Sequence, residues 1–284
     1  MTSLFQTRQF HIDAAPDHAD VLRAIHDRAL DLVIIDGVFS PHHCQLVATQ
    51  LDAQPSRFPF TLQETLNAEQ TQFRLIGESL TPYAGHPEGP ELSHYFRTAA
   101  EFRGHCRSLF GSAADFEATV EAAFASTGGG RAVELPAGPE AGTTYTPATL
   151  RELRPSCEIP LHVGDYFFST PGYEHLGKSV VLHDQLSYFV PLQNAEQGGE
   201  LVVYRAEWGK DEAPEMVREK RANWDDLDAS WESERFTPPV GALLVFNGGR
   251  FYHRVSRVRG TRARWTIGGF LAFAPDDRTI RYWS

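Results

Sequence analysis

The 284-residue sequence has few cysteines, no long apolar segment and no excess of positive charge. Its three cysteines, Cys44, Cys106 and Cys157, form no close pair along the chain, so we expect free thiols in a reducing compartment. No apolar run approaches the roughly 18 residues that a membrane span needs. The first residues also lack the basic and apolar regions of a signal peptide. The sequence therefore predicts a soluble, cytoplasmic protein.

Basic residues are outnumbered by acidic ones, because 26 Lys and Arg against 37 Asp and Glu give a formal net charge of −11. Nucleic acid polymers and anionic membranes attract positively charged surfaces, so neither is expected as a partner. A small phosphorylated substrate remains compatible with this charge. Hydrophobic residues make up 42% of the chain and aromatic residues 12%, which is enough for a substantial core and argues against disorder.

The N-terminal half shows mainly helical patterns. Serine or threonine followed by proline predicts helix starts at Ser40-Pro41 and at Thr146-Pro147, the latter leading into residues 148–153. A further helix is predicted over residues 113–125, where Ser112 and Asp115 can form a capping box. Residues 55–90 are polar and interrupted by proline and glycine, which fits a mobile cover over a site and an irregular surface equally well.

From residue 158 onward the chain changes to short segments rich in β-branched and aromatic residues, separated by glycine and proline turns. So many antiparallel strands predict an α+β protein with a double-stranded β-helix, or jelly-roll, core and helices packed on one face. We find no repeat or linker and expect one domain, residues 1–284, with helical support mainly in 1–157 and the jelly-roll core mainly in 158–284. The predicted strands are 158–163, 186–192, 200–204, 242–246, 251–256 and 265–273.

Two of the twelve histidines, His162 and His253, lie inside predicted strands. A strand presents residues i and i+2 on the same face. A histidine followed two positions later by a carboxylate therefore supplies two of the three ligands of a 2-His-1-carboxylate iron(II) site. In this chain the second position is Gly164, which has no side chain. One ligand expected of such a site is missing.

Arg264 and Thr266 follow His253 on the next predicted strand and share one face of it. An arginine fork forms a bidentate pair with a carboxylate, and a threonine hydroxyl adds a donor. The two residues are therefore a candidate site for the distal carboxylate of a dicarboxylate co-substrate. A surface ion pair is the alternative for Arg264, but its apolar neighbours, Trp265–Leu271, weaken that interpretation.

This ordered set of residues resembles the iron(II)/2-oxoglutarate-dependent oxygenase superfamily. It is most similar to the free-standing aliphatic halogenases of the welwitindolinone and hapalindole type and to their nucleotide-chlorinating relatives. The resemblance starts near residue 30 and is strong from residue 142 onward. The segments that carry it are Gly142–Thr149, His162–Gly164, Asp184–Phe189, Gly198–Tyr204, Pro239–Phe246, Asn247–Ser256, Arg264–Thr266 and Tyr282–Ser284.

The resemblance implies a set of cofactors and a reaction. His162 and His253 would hold iron(II), and chloride or bromide would take the coordination position that Gly164 leaves open. The co-substrate 2-oxoglutarate would chelate the metal and extend to Arg264 and Thr266. The implied reaction consumes O2, releases succinate and CO2, and replaces a hydrogen on an unactivated aliphatic carbon with chlorine. It belongs to natural product biosynthesis, acts on a free small molecule and needs no carrier protein.

Asp165 is the departure from the family pattern, because an uncharged amide is expected at this position. In a regular strand its side chain points away from the metal face. A bulge at Gly164 could turn it inward, restore a carboxylate ligand and give a hydroxylase. A metal-free jelly-roll binding protein is a third alternative, but a decayed site would not be expected to keep both histidines, Arg264 and Thr266.

Three further residues are candidates by position alone. Ser187 alternates with apolar neighbours, so it either faces the cavity and hydrogen-bonds the metal-bound oxygen or is satisfied within the sheet. Arg254 points opposite to His253 and is expected to serve packing or ion pairing. Ile159 is a candidate for the substrate pocket.

The sequence leaves two substrate classes open, a nucleotide and an indole alkaloid. The polar character of residues 55–90 favours the nucleotide, which needs cationic contacts to its phosphate, whereas an alkaloid needs an apolar, aromatic-lined pocket. The arginines available for such contacts are Arg74, Arg97, Arg103, Arg107, Arg151 and Arg154.

Overall fold

Two β-sheets lie face to face in the computed structural model, which describes residues 3–64, 72–83, 90–111, 114–212 and 224–284. The strands are β1 (Thr7–His11), β2 (Leu32–Asp36), β3 (Thr61–Glu64), β4 (Gln72–Ile76), β5 (Ala132–Glu134), β6 (Thr149–Leu153), β7 (Ile159–His162), β8 (Leu186–Gln193), β9 (Leu201–Glu207), β10 (Ser233–Phe236), β11 (Leu243–Phe246), β12 (Phe251–Val255), β13 (Arg264–Phe273) and β14 (Thr279–Trp283). The α-helices are α1 (Val21–His26), α2 (Pro41–Ala53), α3 (Pro90–Phe110), α4 (Phe116–Thr127) and α5 (Trp224–Ser230).

The larger sheet has the strand order β1-β2-β11-β8-β13-β6-β4-β3, with β14 paired to β13 and β5 paired to β14. The smaller sheet has the order β10-β9-β12-β7. The pairs β11-β8 and β8-β13 of one sheet, and β9-β12 and β12-β7 of the other, are antiparallel and join strands distant along the chain. This interleaving between two sheets is the jelly-roll arrangement. The predicted α+β jelly roll is confirmed.

Helices cover one face of the larger sheet. Tyr188 and Val190 of β8 pack in a core with Phe124 of α4, whose ring centroid lies 5.1 Å from that of Tyr188. Burying apolar side chains of this size contributes about 1.5–3 kcal/mol each. Since side chains alternate across a strand, Ser187 and Phe189 point to the opposite face. The pattern of β8 thus determines which of its side chains reach the space between the sheets.

The six predicted strands of the second half are present, each within three residues of its predicted bounds. The predicted helix over residues 148–153 is wrong, because Thr149–Leu153 forms β6. Strand β6 pairs with β13 on one side and β4 on the other, so tertiary pairing overrides the local helix signal at Thr146-Pro147.

The helix predicted over residues 113–125 begins later, at Phe116, and ends at Thr127. The carboxylate of Asp115 caps it by accepting a hydrogen bond of 2.9 Å from the N–H of Ala118. The predicted partner of this cap, Ser112, lies outside the described residues. The chain up to residue 157 contains α1 to α4 and also β1 to β6, so it supplies strands as well as helical support.

The segment predicted as a cover or an irregular surface, residues 55–90, contributes β3 and β4 at the edge of the larger sheet. Residues 65–71 and 84–89 of this segment lie outside the described part of the chain.

Among all the residues that the structure describes, no helix combines the length and the apolar character needed to cross a membrane. All three cysteines are buried and form no disulfide bond.

Candidate functional site

A cavity of about 370 Å³ lies between the two sheets. Strands β6, β8 and β13 of the larger sheet and β7 and β12 of the smaller sheet contribute to its wall. None of the described residues that line it is acidic. The titratable and hydroxyl side chains in the wall include Arg151, His162, Ser187, His253, Arg264 and Thr266.

His162 and His253 are cross-strand partners on β7 and β12, and their ring centroids lie 4.1 Å apart. Nδ1 of His162 lies 2.8 Å from the carbonyl oxygen of Pro160, and Nδ1 of His253 lies 2.8 Å from that of Phe251. A neutral imidazole that donates Nδ1–H to a carbonyl keeps the lone pair on Nε2 for a metal ion. The two carbonyls thus orient both rings so that their Nε2 atoms could hold a metal ion.

Burial keeps both rings uncharged. It lowers the pKa of His162 to about 4, with the charge of Arg151 adding to the effect. The pKa of His253 is lowered well below its ordinary value, first by burial and then by the neighbouring His162. Neutral imidazole is the form that binds metal ions. Protons therefore do not compete for these nitrogens at pH 7.

Gly164 follows β7 at the start of a short 3-10 helix, Gly164–Ser169, and lines the cavity. Its N–H donates a hydrogen bond of 2.8 Å to the carbonyl of Gly248. A Cβ built on Gly164 would lie 2.0 Å from Nε2 of Gln185. The amide of Gln185 therefore fills the place where the Cβ of residue 164 would lie, and no side chain of residue 164 reaches towards the histidines.

The Asp165 side chain is held away from the cavity. Its Oδ2 accepts a hydrogen bond of 2.8 Å from the N–H of Asp184, and its Oδ1 accepts one of 3.3 Å from the N–H of Gln185. Burial raises the pKa of Asp165, and these two backbone donors oppose the rise. Asp165 is not among the described residues that line the cavity. Its carboxylate instead fixes the turn that leads into β8.

A second group of metal-ligand side chains lies beside this turn. Asp165, His183 and Asp184 bring one ligand atom each within 4.8 Å of one another. Nε of Arg28 lies 2.9 Å from Oδ2 of Asp184, so an arginine already neutralises part of that acidic charge. Nothing else in the described residues indicates an ion there, and we interpret the group as an ion-pair network.

Arg264 and Thr266 lie side by side in the cavity wall and are 5% and 3% exposed. Nη1 of Arg264 donates to Oγ1 of Thr266 at 3.4 Å. The Arg264 guanidinium carbon also lies 5.2 Å from the ring centroid of Phe189. These contacts hold the arginine fork at the inner surface of β13, where it faces the space between the sheets.

Arg151 is a second arginine in the same wall; the sequence named it as one of six candidates for a substrate phosphate but did not place it beside Thr266. It pairs directly with Thr266 across β6 and β13. Burial lowers the pKa of Arg151 to about 10, and burial together with the charge of Arg151 lowers that of Arg264 to about 10. Both remain positively charged at pH 7. Two cations and no acidic wall residue in the described chain make the cavity suited to a dianion.

The assignment of residues 148–153 to a helix concealed Arg151. Once these residues are placed on β6, alternation separates Leu150 in the helix-covered core from Arg151 in the cavity wall. Gln185 was missed for a different reason. It lies just before β8 and has no sequence signal of its own.

The three residues proposed by position have different locations. Ser187 and Ile159 line the cavity, and Oγ of Ser187 is buried with no hydrogen-bond partner among the described residues. Arg254 lies on the outer face of the smaller sheet, where its Nε donates to the Tyr204 hydroxyl at 2.6 Å and its Nη2 pairs with the Asp228 carboxylate at 2.9 Å. Arg254 thus attaches α5 to the sheet and does not reach the cavity.

Of the six arginines considered for a phosphate, only Arg151 is among the described residues that line the cavity. Arg74 lies 2.7 Å from the carboxylate of Glu152, which also pairs with the exposed Arg154 at 3.1 Å. Arg103 lies 2.8 Å from Glu117. The apolar part of the wall includes Phe73, Leu75, Ile159, Pro160, Phe167 and Phe246.

Comparison with known proteins was informative at the level of family and fold. The model of the family described as carrier-protein-independent halogenase WelO5 matches residues 4–284. The chain is similar in structure to an N-substituted L-amino acid dioxygenase from Burkholderia ambifaria AMMD, with a TM-score of 0.54, 18% identity, and coverage of 93% of this chain and 90% of that one. The structure of such a dioxygenase in complex with alpha-KG, from the same organism, gives a TM-score of 0.53, 15% identity and the same coverages, 93% and 90%. These structural similarities, at 18% and 15% sequence identity, establish a shared jelly-roll fold and no more. No curated protein matches the sequence significantly.

Proposed function

We propose that this chain halogenates an aliphatic carbon of a free small molecule. The premise is that the chain belongs to the family of carrier-protein-independent halogenases of the WelO5 type. At the coarser level it is a non-haem iron(II)- and 2-oxoglutarate-dependent oxidoreductase. One observation supports halogenation over hydroxylation. The wall beside the two neutral histidines has a glycine at the position of the third ligand and no acidic side chain among its described residues.

The residues present fit an iron(II) ion. His162 and His253 offer two Nε2 donors on adjacent strands, and each ring is oriented by a backbone carbonyl. Imidazole nitrogen is a suitable donor for iron(II). With only these two protein ligands, the co-substrate and a halide would complete the coordination. Retention of the metal should therefore depend on both.

When bound, iron(II) with 2-oxoglutarate supplies the chemistry that couples dioxygen consumption to release of succinate and CO2. The protein's own part is to bind and orient the reactants. Arg264 and Thr266 would hold the distal carboxylate of 2-oxoglutarate, and Arg151 adds a second positive charge beside Thr266. The Ser187 hydroxyl has no hydrogen-bond partner among the described residues, so it is available to donate a hydrogen bond to an oxygen bound in the cavity.

The halide position is supported by charge as well as by space. A chloride ion beside the histidines would meet no acidic residue in the described wall, and the positive charge of Arg151 is close enough to lower the pKa of both histidines. A carboxylate at position 164 would compete with it both for space and for charge. We therefore assign the halide to the position that Gly164 leaves open.

The substrate is proposed to be free and to need no carrier protein, as the family description implies. Among the described residues, five of the six arginines considered for a phosphate lie outside the cavity wall, whereas several aromatic and aliphatic side chains line it. This distribution favours a substrate with a planar apolar part, such as an indole, over a nucleotide. Parallel turnover assays with an indole alkaloid and a deoxynucleotide distinguish the two classes.

An anaerobic crystal of the enzyme with iron(II), 2-oxoglutarate and bromide tests the proposed function. Bromide has an anomalous signal, so its position can be located directly. We expect it on the metal, beside Gly164, with 2-oxoglutarate extending to Arg264. A metal site with the Asp165 carboxylate bound and no bromide at any concentration would contradict the proposal and favour a hydroxylase.

Replacing Asp165 with asparagine tests the hydroxylase alternative in solution. Because the Asp165 carboxylate accepts two backbone hydrogen bonds outside the cavity, we expect Asp165→Asn to keep iron(II) and 2-oxoglutarate binding. The measurement is the charge-transfer absorption of the anaerobic complex. Loss of iron binding in Asp165→Asn, with an intact fold by circular dichroism, would show that Asp165 is a ligand.

Replacing Arg151 with leucine is expected to weaken 2-oxoglutarate binding roughly tenfold or more, since it removes a charged donor from a buried anion site. Arg154→Leu is the matched control, because Arg154 lies three residues further on and is 61% exposed. It should leave the affinity unchanged. Calorimetry with 2-oxoglutarate measures both. An unchanged affinity in Arg151→Leu together with a raised KM for the substrate would instead assign Arg151 to substrate binding.

A further inference from the structure

The side chain of Gln185 lies against Gly164 and is 2% exposed. A Cβ built on Gly164 would be 2.0 Å from Nε2, 2.9 Å from Cδ and 3.2 Å from Cγ of Gln185. Nε2 of Gln185 therefore occupies the place where a side chain of residue 164 would begin, next to the described wall residues, which include Gly164 but not Gln185. In a 2-His-1-carboxylate site that side chain leads to the third metal ligand.

One atom of the Gln185 amide, Oε1, is buried and has no hydrogen-bond partner among the described residues. Buried polar groups are nearly always hydrogen-bonded, because leaving them unsatisfied costs free energy. The amide is thus not used up by hydrogen bonds to its oxygen, and the donor nitrogen Nε2 is the atom of Gln185 that lies against Gly164.

The backbone around Gln185 is fixed by a closed set of hydrogen bonds. Its N–H donates to Oδ1 of Asp165 at 3.3 Å, and its carbonyl accepts from the N–H of Gly249 at 2.8 Å. The N–H of Asp165 donates in turn to the carbonyl of Gly249 at 3.3 Å, and that of Gly164 to the carbonyl of Gly248 at 2.8 Å. These bonds fix the backbone of residue 185 relative to that of Gly164, and the side chain of Gln185 starts from this fixed backbone.

We propose that the side-chain amide of Gln185 donates a hydrogen bond from Nε2 to the halide in the position that Gly164 leaves open. This inference rests on the proposed function. An amide N–H suits that task because it stabilises an anion without carrying a charge or a proton that it could lose. It also gives Asp165 a role, since the Asp165 carboxylate positions Gln185 through the backbone N–H.

Chloride titration of the anaerobic iron(II)–2-oxoglutarate complex tests the inference without turnover. The readout is the charge-transfer absorption, which is sensitive to the ligands of the metal. Gln185→Leu and Gln185→Met both remove the N–H donor and keep much of the side-chain volume. We expect each to weaken chloride binding by roughly ten- to a hundredfold, the effect of losing a hydrogen bond to a charged group. Affinity for 2-oxoglutarate should stay that of the wild type.

Gln193→Leu is the matched control, because Gln193 is a second glutamine of the same strand region and donates from Nε2 to the carbonyl of Ala263 at 3.0 Å. The Gln193→Leu variant loses an amide that lies away from Gly164 and should bind chloride as the wild type does.

Wild-type chloride affinity in both Gln185 variants would overturn the inference and leave the proposed function standing. A fall in iron affinity with unchanged chloride affinity would overturn it too, because the amide oxygen would then be a metal ligand. Absence of any chloride effect in the wild type would instead overturn the proposed function itself.

Discussion

Gly164→Asp is expected to abolish chlorination and to leave an enzyme that hydroxylates. The aspartate places a carboxylate two positions after His162 and so supplies the third ligand of a 2-His-1-carboxylate site. It would occupy the halide position and repel the anion. The new Cβ meets the Gln185 amide at 2.0 Å, but that contact is with the end of a side chain, which can shift.

The measurement is product analysis by mass spectrometry at high chloride, together with succinate release. We expect chlorinated product below detection, with succinate still formed and iron held more tightly than in the wild type. Gly164→Ala is the matched control, because it adds the same Cβ without a ligand. It should lower chlorination without promoting hydroxylation. Chlorination retained by Gly164→Asp would show that the halide binds elsewhere.

Arg264→Met is expected to raise the Kd for 2-oxoglutarate by about thirtyfold or more. A buried charge pair that loses one partner costs roughly 2–5 kcal/mol, and 1.4 kcal/mol corresponds to a factor of ten. Arg264→Lys keeps the charge but loses the bidentate fork, so it should recover only part of the affinity. Calorimetric titration with 2-oxoglutarate under anaerobic conditions measures all three proteins.

Arg254→Met provides the control for removing a buried strand arginine as such. Arg254 pairs with Asp228 and Tyr204 on the outer face of the smaller sheet. Its replacement should lower the melting temperature and leave 2-oxoglutarate affinity unchanged. An Arg264→Met enzyme with wild-type affinity would refute the assignment of Arg264 and make Arg151 the main contact of the distal carboxylate.

Much of the fold could be predicted because its signals are local. Strand periodicity located β7, β8, β11, β12 and β13 to within a few residues, and it placed Ser187 on the face opposite to Tyr188. The error at residues 148–153 has a physical cause. A threonine-proline helix start contributes little free energy compared with the hydrogen bonds that β6 makes with β13 on one edge and β4 on the other.

The sequence by itself determined the elements of the candidate site that depend on a single strand. Arg264 and Thr266 lie two positions apart on β13, so alternation alone relates them. The spacing of His162 and Gly164 is also local, although Gly164 lies just after β7, at the start of the 3-10 helix. The sequence also determined the family, because the segments that carry the resemblance run in order through most of the chain.

The tertiary structure alone decided what depends on contacts between distant segments. The turn before β8 captures the Asp165 carboxylate through two backbone N–H groups, and this capture takes the residue out of the cavity. Pairing of β6 with β13 brings Arg151 opposite Thr266. The same turn brings Gln185 against Gly164, a position 21 residues earlier in the chain. Periodicity describes which face a side chain takes on its own strand, but only packing decides which groups then meet.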